Sequence, residues 1–171
     1  MRKFGYISIL IIAFAVLQPS LLFSLGITIY MPDIVAVIVA AQSFTRSMRL
    51  SAVIAISAGI VVDLASPATG IFGVSSISYL LIALLVNRYV AAPHDSAWKP
   101  VLTAALAPVA AVIVRAVVLL LTMQSISLSQ LPAFIGWQFI TGAIFATFLV
   151  PIIDLIDKPL YRDSLPLRVR A

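Results

Sequence analysis

Long apolar runs separated by short polar gaps account for most of the chain. Each run approaches the roughly 20 residues that an α-helix needs to cross a bilayer. The pattern therefore predicts an all-α, polytopic integral membrane protein with six transmembrane helices in a single domain. The predicted spans cover about residues 4–24, 26–44, 50–65, 71–89, 100–123 and 132–153, and a short basic tail covers residues 154–171.

The second run is interrupted by Pro32 and Asp33. Proline is favoured at the first helical position, and an acidic residue is favoured in the first turn, where the helix dipole is positive. We therefore expect the helix proper to begin near Pro32, with residues 26–31 irregular or interfacial. A helix from Pro32 to Arg46 rises only about 21 Å, which predicts a short span.

Basic residues occur in alternate gaps between the apolar runs. They precede the first run and follow the second, fourth and last, whereas the gaps around residues 24–31, 64–70 and 123–131 contain no Lys or Arg. Because cytoplasmic loops are enriched in Lys and Arg, this alternation places both termini in the cytoplasm. The first run resembles a signal peptide but is too long and lacks a clean cleavage site, which predicts a retained span. Trp98 and Trp137 fall at opposite membrane edges, as aromatic belts require.

The composition narrows the function classes. The 171 residues are 63% hydrophobic, with a mean hydropathy of +1.17 and a net charge of +5. Topology and contact with anionic membrane lipid account for the charge, so we expect no nucleic-acid partner. The chain has no cysteine and a single histidine, His94, which argues against thiol chemistry and a histidine-based metal site. It also lacks glutamate and any phosphate-binding loop, so we expect no cofactor and no enzymatic activity.

Two predicted spans carry stripes of small residues that end in a charge. The stripe of the third span leads to Asp63, and that of the fifth leads to Arg115, at similar depth in the outer half of the membrane. Small residues four apart let another helix approach closely, and a lone charge there costs about 2.5–3.5 kcal/mol. We therefore predict that these spans pack face to face and that Asp63 and Arg115 are paired or share a polar pocket, with Asp33 the next candidate partner. The stripes are Ser51, Ala55 and Gly59, and Thr103, Ala107 and Ala111.

Two interpretations of this intramembrane pair stay open. An ion pair can serve only to fix the register and orientation of helices. A proton or ion pathway would use the same residues, although such pathways usually contain more ionisable groups than one carboxylate and one arginine. The sequence favours the structural interpretation.

Several short motifs together resemble one known family. Pro32-Asp33 opens the second span, and the stretch from Gly59 to Pro67 contains a glycine followed by the pair Asp63-Leu64 and a serine-containing turn. Gly73-Val74 and the apolar run through Tyr79 follow it. These features resemble the bacterial rod shape-determining protein MreD. The resemblance extends over essentially the whole chain, and its sharp part is residues 32–80; the motif residues are Pro32, Asp33, Gly59, Asp63, Leu64 and Gly73.

The resemblance implies a non-enzymatic scaffold of the cell-elongation machinery in the bacterial cytoplasmic membrane. Proteins of this family pair with MreC, a bitopic membrane protein. Together they link the cytoplasmic MreB filament to peptidoglycan synthases, namely a SEDS glycosyltransferase and a class B penicillin-binding protein. The family's fold is similar to that of the substrate-binding subunits of energy-coupling-factor transporters. That similarity leaves an alternative, a membrane subunit that binds a vitamin-like small solute.

The basic residues on the predicted cytoplasmic side have two candidate partners. The first is anionic lipid, since each basic residue near the membrane surface contributes about 1 kcal/mol of attraction to anionic headgroups. Alternatively, the same surface docks a cytoplasmic filament. The residues concerned are Arg46, Arg49, the loop around His94, and Arg168 and Arg170 of the tail.

Overall fold

The computed structural model describes residues 32–65, 72–90, 98–122 and 129–162, with side chains described as far as residue 155 except that of Val90. These residues form five helices: α1 Ile34–Thr45, α2 Met48–Ala65, α3 Val74–Leu85, α4 Trp98–Leu121 and α5 Leu131–Arg162. Helix α3 continues as a π-helical turn, Val86–Val90. No strand occurs in these ranges, which confirms the all-α prediction. The predicted first span, residues 4–24, lies outside the described residues, as does the tail beyond residue 162.

Three of the helices are long and apolar enough to cross a bilayer. They are Met48–Ala65, Trp98–Leu121 and the part of α5 from Leu131 to Leu155. Two shorter apolar stretches, Ile34–Thr45 and Val74–Tyr89, accompany them. Three candidate spans are therefore supported by length and composition, and the full count of six stays a prediction.

Helix α1 begins close to the predicted position. Asp33 is its N-cap residue, and the helix proper starts at Ile34, so Pro32 and Asp33 both precede it. Its 12 residues rise about 18 Å, which is well short of the roughly 30 Å hydrocarbon core of a bilayer. The prediction of a short helix after Pro32 agrees with these bounds.

Helix α5 is longer than the span predicted for it. The span was expected to end at residue 153, but the helix continues to Arg162 through the beginning of the predicted tail. Asp154 marks the first charge after the apolar run. A charged residue ends the part of a helix that lies in hydrocarbon, but it does not end the helix itself, because the backbone hydrogen bonds continue unchanged.

Helix α1 is the centre of the bundle. Every residue from Ile34 to Ser43 is buried, and the helix contacts α2, α3, α4 and α5. A helix that is apolar all round is buried either among other helices or in lipid, and the contacts of α1 show that it lies among the other helices. The core therefore encloses the polar residues at the two ends of α1, Asp33 and Gln42, together with its apolar ones.

The remaining helices form two tightly packed pairs, α2 with α3 and α4 with α5. The close approach between α2 and α3 depends on Gly59, because a Cβ atom there would lie 2.2 Å from the Cα atom of Ser76. Gly142 plays the same role in α5, where a Cβ would lie 2.6 Å from the carbonyl oxygen of Ala105 in α4.

The prediction that the third and fifth spans pack face to face is therefore wrong. The stripe of α2 faces α3: Gly59 lies against Ser76, and the hydroxyl of Ser51 accepts a hydrogen bond from Asn87. In the stripe of α4, Ala107 and Ala111 are buried in a helix that packs chiefly against α5 and α1. A stripe of small residues indicates that another helix approaches closely, but it does not indicate which helix that is. Helices joined by a short connection usually pack against each other, as α2 does with α3.

Candidate functional site

Asp33 forms the centre of a buried polar cluster at the N-terminus of α1. Its side chain is 6% exposed. The Oδ1 atom accepts a hydrogen bond from the backbone N–H of Ala36 at 3.0 Å, which is an N-capping interaction, and another from the Tyr79 hydroxyl at 2.6 Å. The backbone N–H of Asp33 donates to Oε1 of Gln138 at 3.1 Å. Asp33 thus connects α1 with α3 and α5.

Arg115 of α4 completes this cluster. Its Nη2 atom lies 2.9 Å from Oδ2 of Asp33 and forms a salt bridge with it. The same nitrogen donates to the hydroxyl oxygens of Ser75 and Tyr79, each at 3.3 Å. The guanidinium carbon lies 5.9 Å from the centroid of the Tyr79 ring, within the range of a cation–π interaction. One arginine therefore ties α4 to both α1 and α3.

Arg115 forms its salt bridge with Asp33, the next candidate partner, so direct pairing of Arg115 with Asp63 is wrong. The other form of the prediction, a shared polar pocket, agrees with the structure because both groups contact Ser75. Asp63 instead caps the N-terminus of α3: its Oδ2 accepts from the N–H of Gly73 at 2.9 Å, and its Oδ1 accepts from the N–H of Ser75 at 3.3 Å. A carboxylate at this position satisfies free backbone donors and the positive end of the helix dipole. Ser75 joins the two groups, because its N–H donates to Asp63 while its hydroxyl accepts from Arg115.

The residues of the family motif have different structural roles. Gly59 permits the α2–α3 approach, and Gly73 adopts a φ of 96°, a left-handed conformation that other residues adopt only with strain. Asp33 and Asp63 each cap a helix. Leu64 differs from them because its side chain is 70% exposed. The motif therefore builds the α2–α3 hairpin and presents a leucine at its end.

Tyr79 and Gln138 also belong to the cluster, although the sequence alone does not predict a role for either of them there. Both are fully buried. Ser75 and Tyr79 are four residues apart and lie on one face of α3, and Gln138 is a polar residue within the last apolar run. Polar residues at helical spacing inside apolar runs are the signal by which these positions could have been found.

A second polar cluster joins the opposite ends of α1, α2 and α3. Asn87 lies in the π-helical turn, and its Nδ2 atom donates to the carbonyl oxygen of Ser43 at 2.9 Å, to the hydroxyl of Ser51 at 3.0 Å and to the carbonyl oxygen of Ala83 at 3.4 Å. Turns of this type often occur at functional positions in helices. Asn87 holds three helices together on the side where the basic residues Arg46, Arg49 and Arg88 lie.

Gln42 of α1 is fully buried, with 1% of its surface exposed, yet neither its amide nitrogen nor its amide oxygen has a hydrogen-bond partner within the described part of the chain. An unsatisfied buried polar group costs about 1–3 kcal/mol. Replacing Gln42 with methionine, which has similar volume and no such group, is expected to raise the free energy of unfolding by about that amount. Equilibrium unfolding of the purified protein in mixed micelles measures the change.

The matched control for this prediction is Gln138→Met. Gln138 is equally buried, but its amide oxygen accepts the hydrogen bond from Asp33. Its replacement is therefore expected to lower stability. If Gln42→Met lowers stability as well, then the Gln42 amide does have a partner in solution, and the prediction is wrong.

Both carboxylates of the buried polar cluster, Asp33 and Asp63, are engaged by donors of the chain itself. Asp33 is held by Arg115, Tyr79 and a backbone N–H, and Asp63 is held by two backbone N–H groups. Within the described ranges, no three His, Cys, Asp or Glu side chains come together as metal ligands. The arrangement is suited to fixing the positions of four helices. Arg49 is exposed and Arg46 is partly buried, whereas Arg168 and Arg170 lie outside the described residues.

Comparison with known proteins gives one match. The model of the rod shape-determining protein MreD family matches residues 1–158 of the chain. No curated protein and no solved structure matches.

Proposed function

The chain belongs to the MreD family of rod shape-determining proteins, and from this premise we propose that it is a non-enzymatic membrane scaffold of the cell-elongation machinery. In this role it binds an MreC-like bitopic protein within the bacterial cytoplasmic membrane. Through that partner it couples cytoplasmic MreB filaments to a SEDS glycosyltransferase and a class B penicillin-binding protein outside. The family match favours this role over the vitamin-binding alternative.

The observation that carries the proposal is that both carboxylates of the polar cluster are paired within the protein. The carboxylates of Asp33 and Asp63 are engaged by Arg115, by Tyr79 and by the N-termini of two helices. A proton or ion carrier needs a carboxylate that exchanges partners, whereas a scaffold needs helices in fixed relative positions. The cluster supports the second requirement because it joins α1, α3, α4 and α5 at one level of the bundle.

Leu64 is our candidate contact for the partner protein. Four other motif residues stabilise the fold itself. They are Gly59 and Gly73, which permit the backbone geometry, and Asp33 and Asp63, which cap helices. Leu64 instead has an exposed apolar side chain, and Phe72, which precedes α3 in the sequence, is exposed as well. Transmembrane segments associate through closely packed apolar side chains, so this end of the hairpin fits a single transmembrane helix.

The test is co-purification of the tagged full-length protein from its native membrane in mild detergent. We expect the wild type to recover an MreC-like partner, and we expect Leu64→Ala to recover at least several-fold less of it. Leu121→Ala is the matched control because Leu121 is equally exposed but lies on α4. Recovery of ATPase subunits in place of an MreC-like protein would overturn the proposal, and equal loss in both variants would overturn the assignment to Leu64.

A further inference from the structure

The side of the bundle opposite the Asp33–Arg115 cluster carries four basic residues at the ends of four helices. Arg46 follows α1, Arg49 lies in the first turn of α2, Arg88 lies in the π-helical turn after α3, and Lys99 lies in the first turn of α4. We name this surface, with the neighbouring aromatic residues Tyr89 and Trp98, the basic end. Arg49, Arg88 and Lys99 are exposed on it.

Asn87 holds the basic end together. Its hydrogen bonds to Ser43 and Ser51 bring the π-helical turn against the last turns of α1 and the first turns of α2. Arg88 is the next residue along the chain, so its position relative to the Arg46–Arg49 connection is fixed by these bonds. Helix α4 also contacts the π-helical turn. Because Arg115, in the last third of α4, contacts Ser75 at the start of α3, the two helices run in opposite directions and the beginning of α4 lies on the side where α3 ends.

Two basic residues occupy helix positions that ordinarily favour acids. Arg49 and Lys99 lie in the first turns of α2 and α4, and neither of these turns contains an acidic residue. The N-terminus of a helix carries partial positive charge, so a basic side chain there adds to it rather than compensating it. An anion bound at this surface would interact favourably with both helix ends and with the basic side chains.

The aromatic residues of the basic end each continue into an apolar stripe. On α3 and its π-helical turn, Tyr89 is followed at spacings of four by Leu85, Leu81 and Ile77, all of them exposed. On α4, Trp98 is followed at the same spacing by Leu102 and Leu106, also exposed. Residues four apart share a helix face, so each stripe leads from the charged end along the surface that faces hydrocarbon.

From these features we infer that the basic end is a binding site for an anionic phospholipid. The headgroup phosphate lies among Arg49, Arg88 and Lys99, and the acyl chains lie along the stripes below Tyr89 and Trp98. The Arg88 guanidinium carbon lies 6.0 Å from the centroid of the Tyr89 ring, within the range of a cation–π interaction. Aromatic belts lie at the headgroup level of a membrane, so a cation beside this ring is suited to bind a headgroup phosphate. The apolar stripes favour a lipid over a soluble acidic protein, because a protein bound at the membrane surface would not cover them.

The two tryptophans of the chain provide a direct readout. Trp137→Phe leaves Trp98 as the single tryptophan, at the basic end, and Trp98→Phe leaves Trp137, in α5. The full-length variants are reconstituted in vesicles of phosphatidylcholine containing increasing fractions of phosphatidylglycerol. Tryptophan quenching by brominated forms of each lipid then gives the relative binding of the two lipids near each tryptophan.

We expect Trp98 to show about a tenfold preference for phosphatidylglycerol, which corresponds to ~1.4 kcal/mol and to one or two basic residues near the surface. Trp137 is expected to show no preference. Added salt is expected to reduce the preference at Trp98, since exposed charges are screened. Replacing chloride by inorganic phosphate at matched ionic strength is expected to leave the lipid preference at Trp98 unchanged. Loss of the preference in phosphate would assign the site to free phosphate and overturn the inference.

Charge variants complete the test. In the Trp137→Phe background, Arg88→Gln with Lys99→Gln is expected to abolish the preference, and Arg88→Lys with Lys99→Arg is expected to retain most of it. Arg168→Gln with Arg170→Gln removes the same charge from the tail and is expected to change the preference little. An unchanged preference in the Arg88→Gln, Lys99→Gln variant overturns the inference. So does an equal preference at Trp98 and Trp137. If that charge variant loses only a co-purifying acidic protein, the surface belongs to a protein partner.

Discussion

Replacing Arg115 with methionine is expected to lower the free energy of unfolding by about 3–5 kcal/mol, the usual cost of removing one partner of a buried ion pair. The salt bridge is the one polar contact of Asp33 Oδ2 among the described residues. Without Arg115, that oxygen would be left charged in a buried position. The same change removes the hydrogen bonds to Ser75 and Tyr79. Equilibrium unfolding in mixed micelles measures the loss, and the amount of protein in the membrane should fall with it.

Asp33→Asn is expected to cost less than Arg115→Met. Asparagine keeps the N-cap of α1, and Arg115, with 24% of its side chain exposed, can extend its guanidinium towards water or headgroups. The double variant Asp33→Asn, Arg115→Met is expected to recover part of the loss, since no uncompensated charge remains. The Asp63→Asn, Arg115→Met pair should show a clearly smaller coupling energy. A larger coupling for Asp63 than for Asp33 would mean that Arg115 binds Asp63 in the native protein.

Replacing Gly59 with alanine is expected to destabilise the protein by about 1–3 kcal/mol, the typical cost of overpacking a well-packed contact. The new methyl carbon would lie 2.2 Å from the Cα atom and 2.4 Å from the backbone nitrogen of Ser76. Backbone atoms cannot move aside as a flexible side chain can, so α2 and α3 have to separate. Separation would also lengthen the hydrogen bonds from α3 to Asp63, which caps it.

Gly136→Ala is the matched control for this substitution. Gly136 lies within α5, and among the described residues no heavy atom beyond its own stretch of helix lies within 4 Å of the position of an added Cβ. Alanine is favoured over glycine in a helix by about 1 kcal/mol, so this variant is expected to be neutral or more stable. Both variants are compared in the same unfolding experiment. Equal stability of Gly59→Ala and Gly136→Ala would show that α2 and α3 lie farther apart than the structure places them.

The sequence pointed to the right polar residues and left open whether Asp63 pairs with Arg115 or only shares a pocket with it; the structure has the shared pocket, with Asp33 as the salt-bridge partner. Asp33, Asp63 and Arg115 were recognised because charges inside apolar runs need partners. The depth of a residue in the membrane can be estimated by counting residues along its helix, and this count places Asp63 and Arg115 at similar depth. The rotation of each helix about its axis cannot be estimated in this way. It was decided by Gly59, which turns the Asp63 face of α2 towards α3, so that Asp63 meets the N-terminus of that helix.

The same limit applies to the position of α1. Its composition predicted an apolar helix that begins near Pro32, and its bounds agree. That it lies at the centre of the bundle could not be read from its own residues, because an apolar helix facing lipid has the same composition as one facing other helices. Its contacts with α4 and α5 join residues far apart in the chain, and local patterns carry no information about such contacts.

The central position of α1 also constrains how the chain is made. Asp33 leaves the ribosome 82 residues before Arg115, which is roughly 4–16 s at a synthesis rate of 5–20 residues per second. During this interval the carboxylate lacks its Arg115 partner, and α1 is too short to cross the bilayer alone. We therefore expect α1 to reach its enclosed position only after α4 and α5 have been synthesised. The other helices are therefore expected to enclose α1 late in membrane insertion, so the spans would not enter the bilayer as independent units one after another.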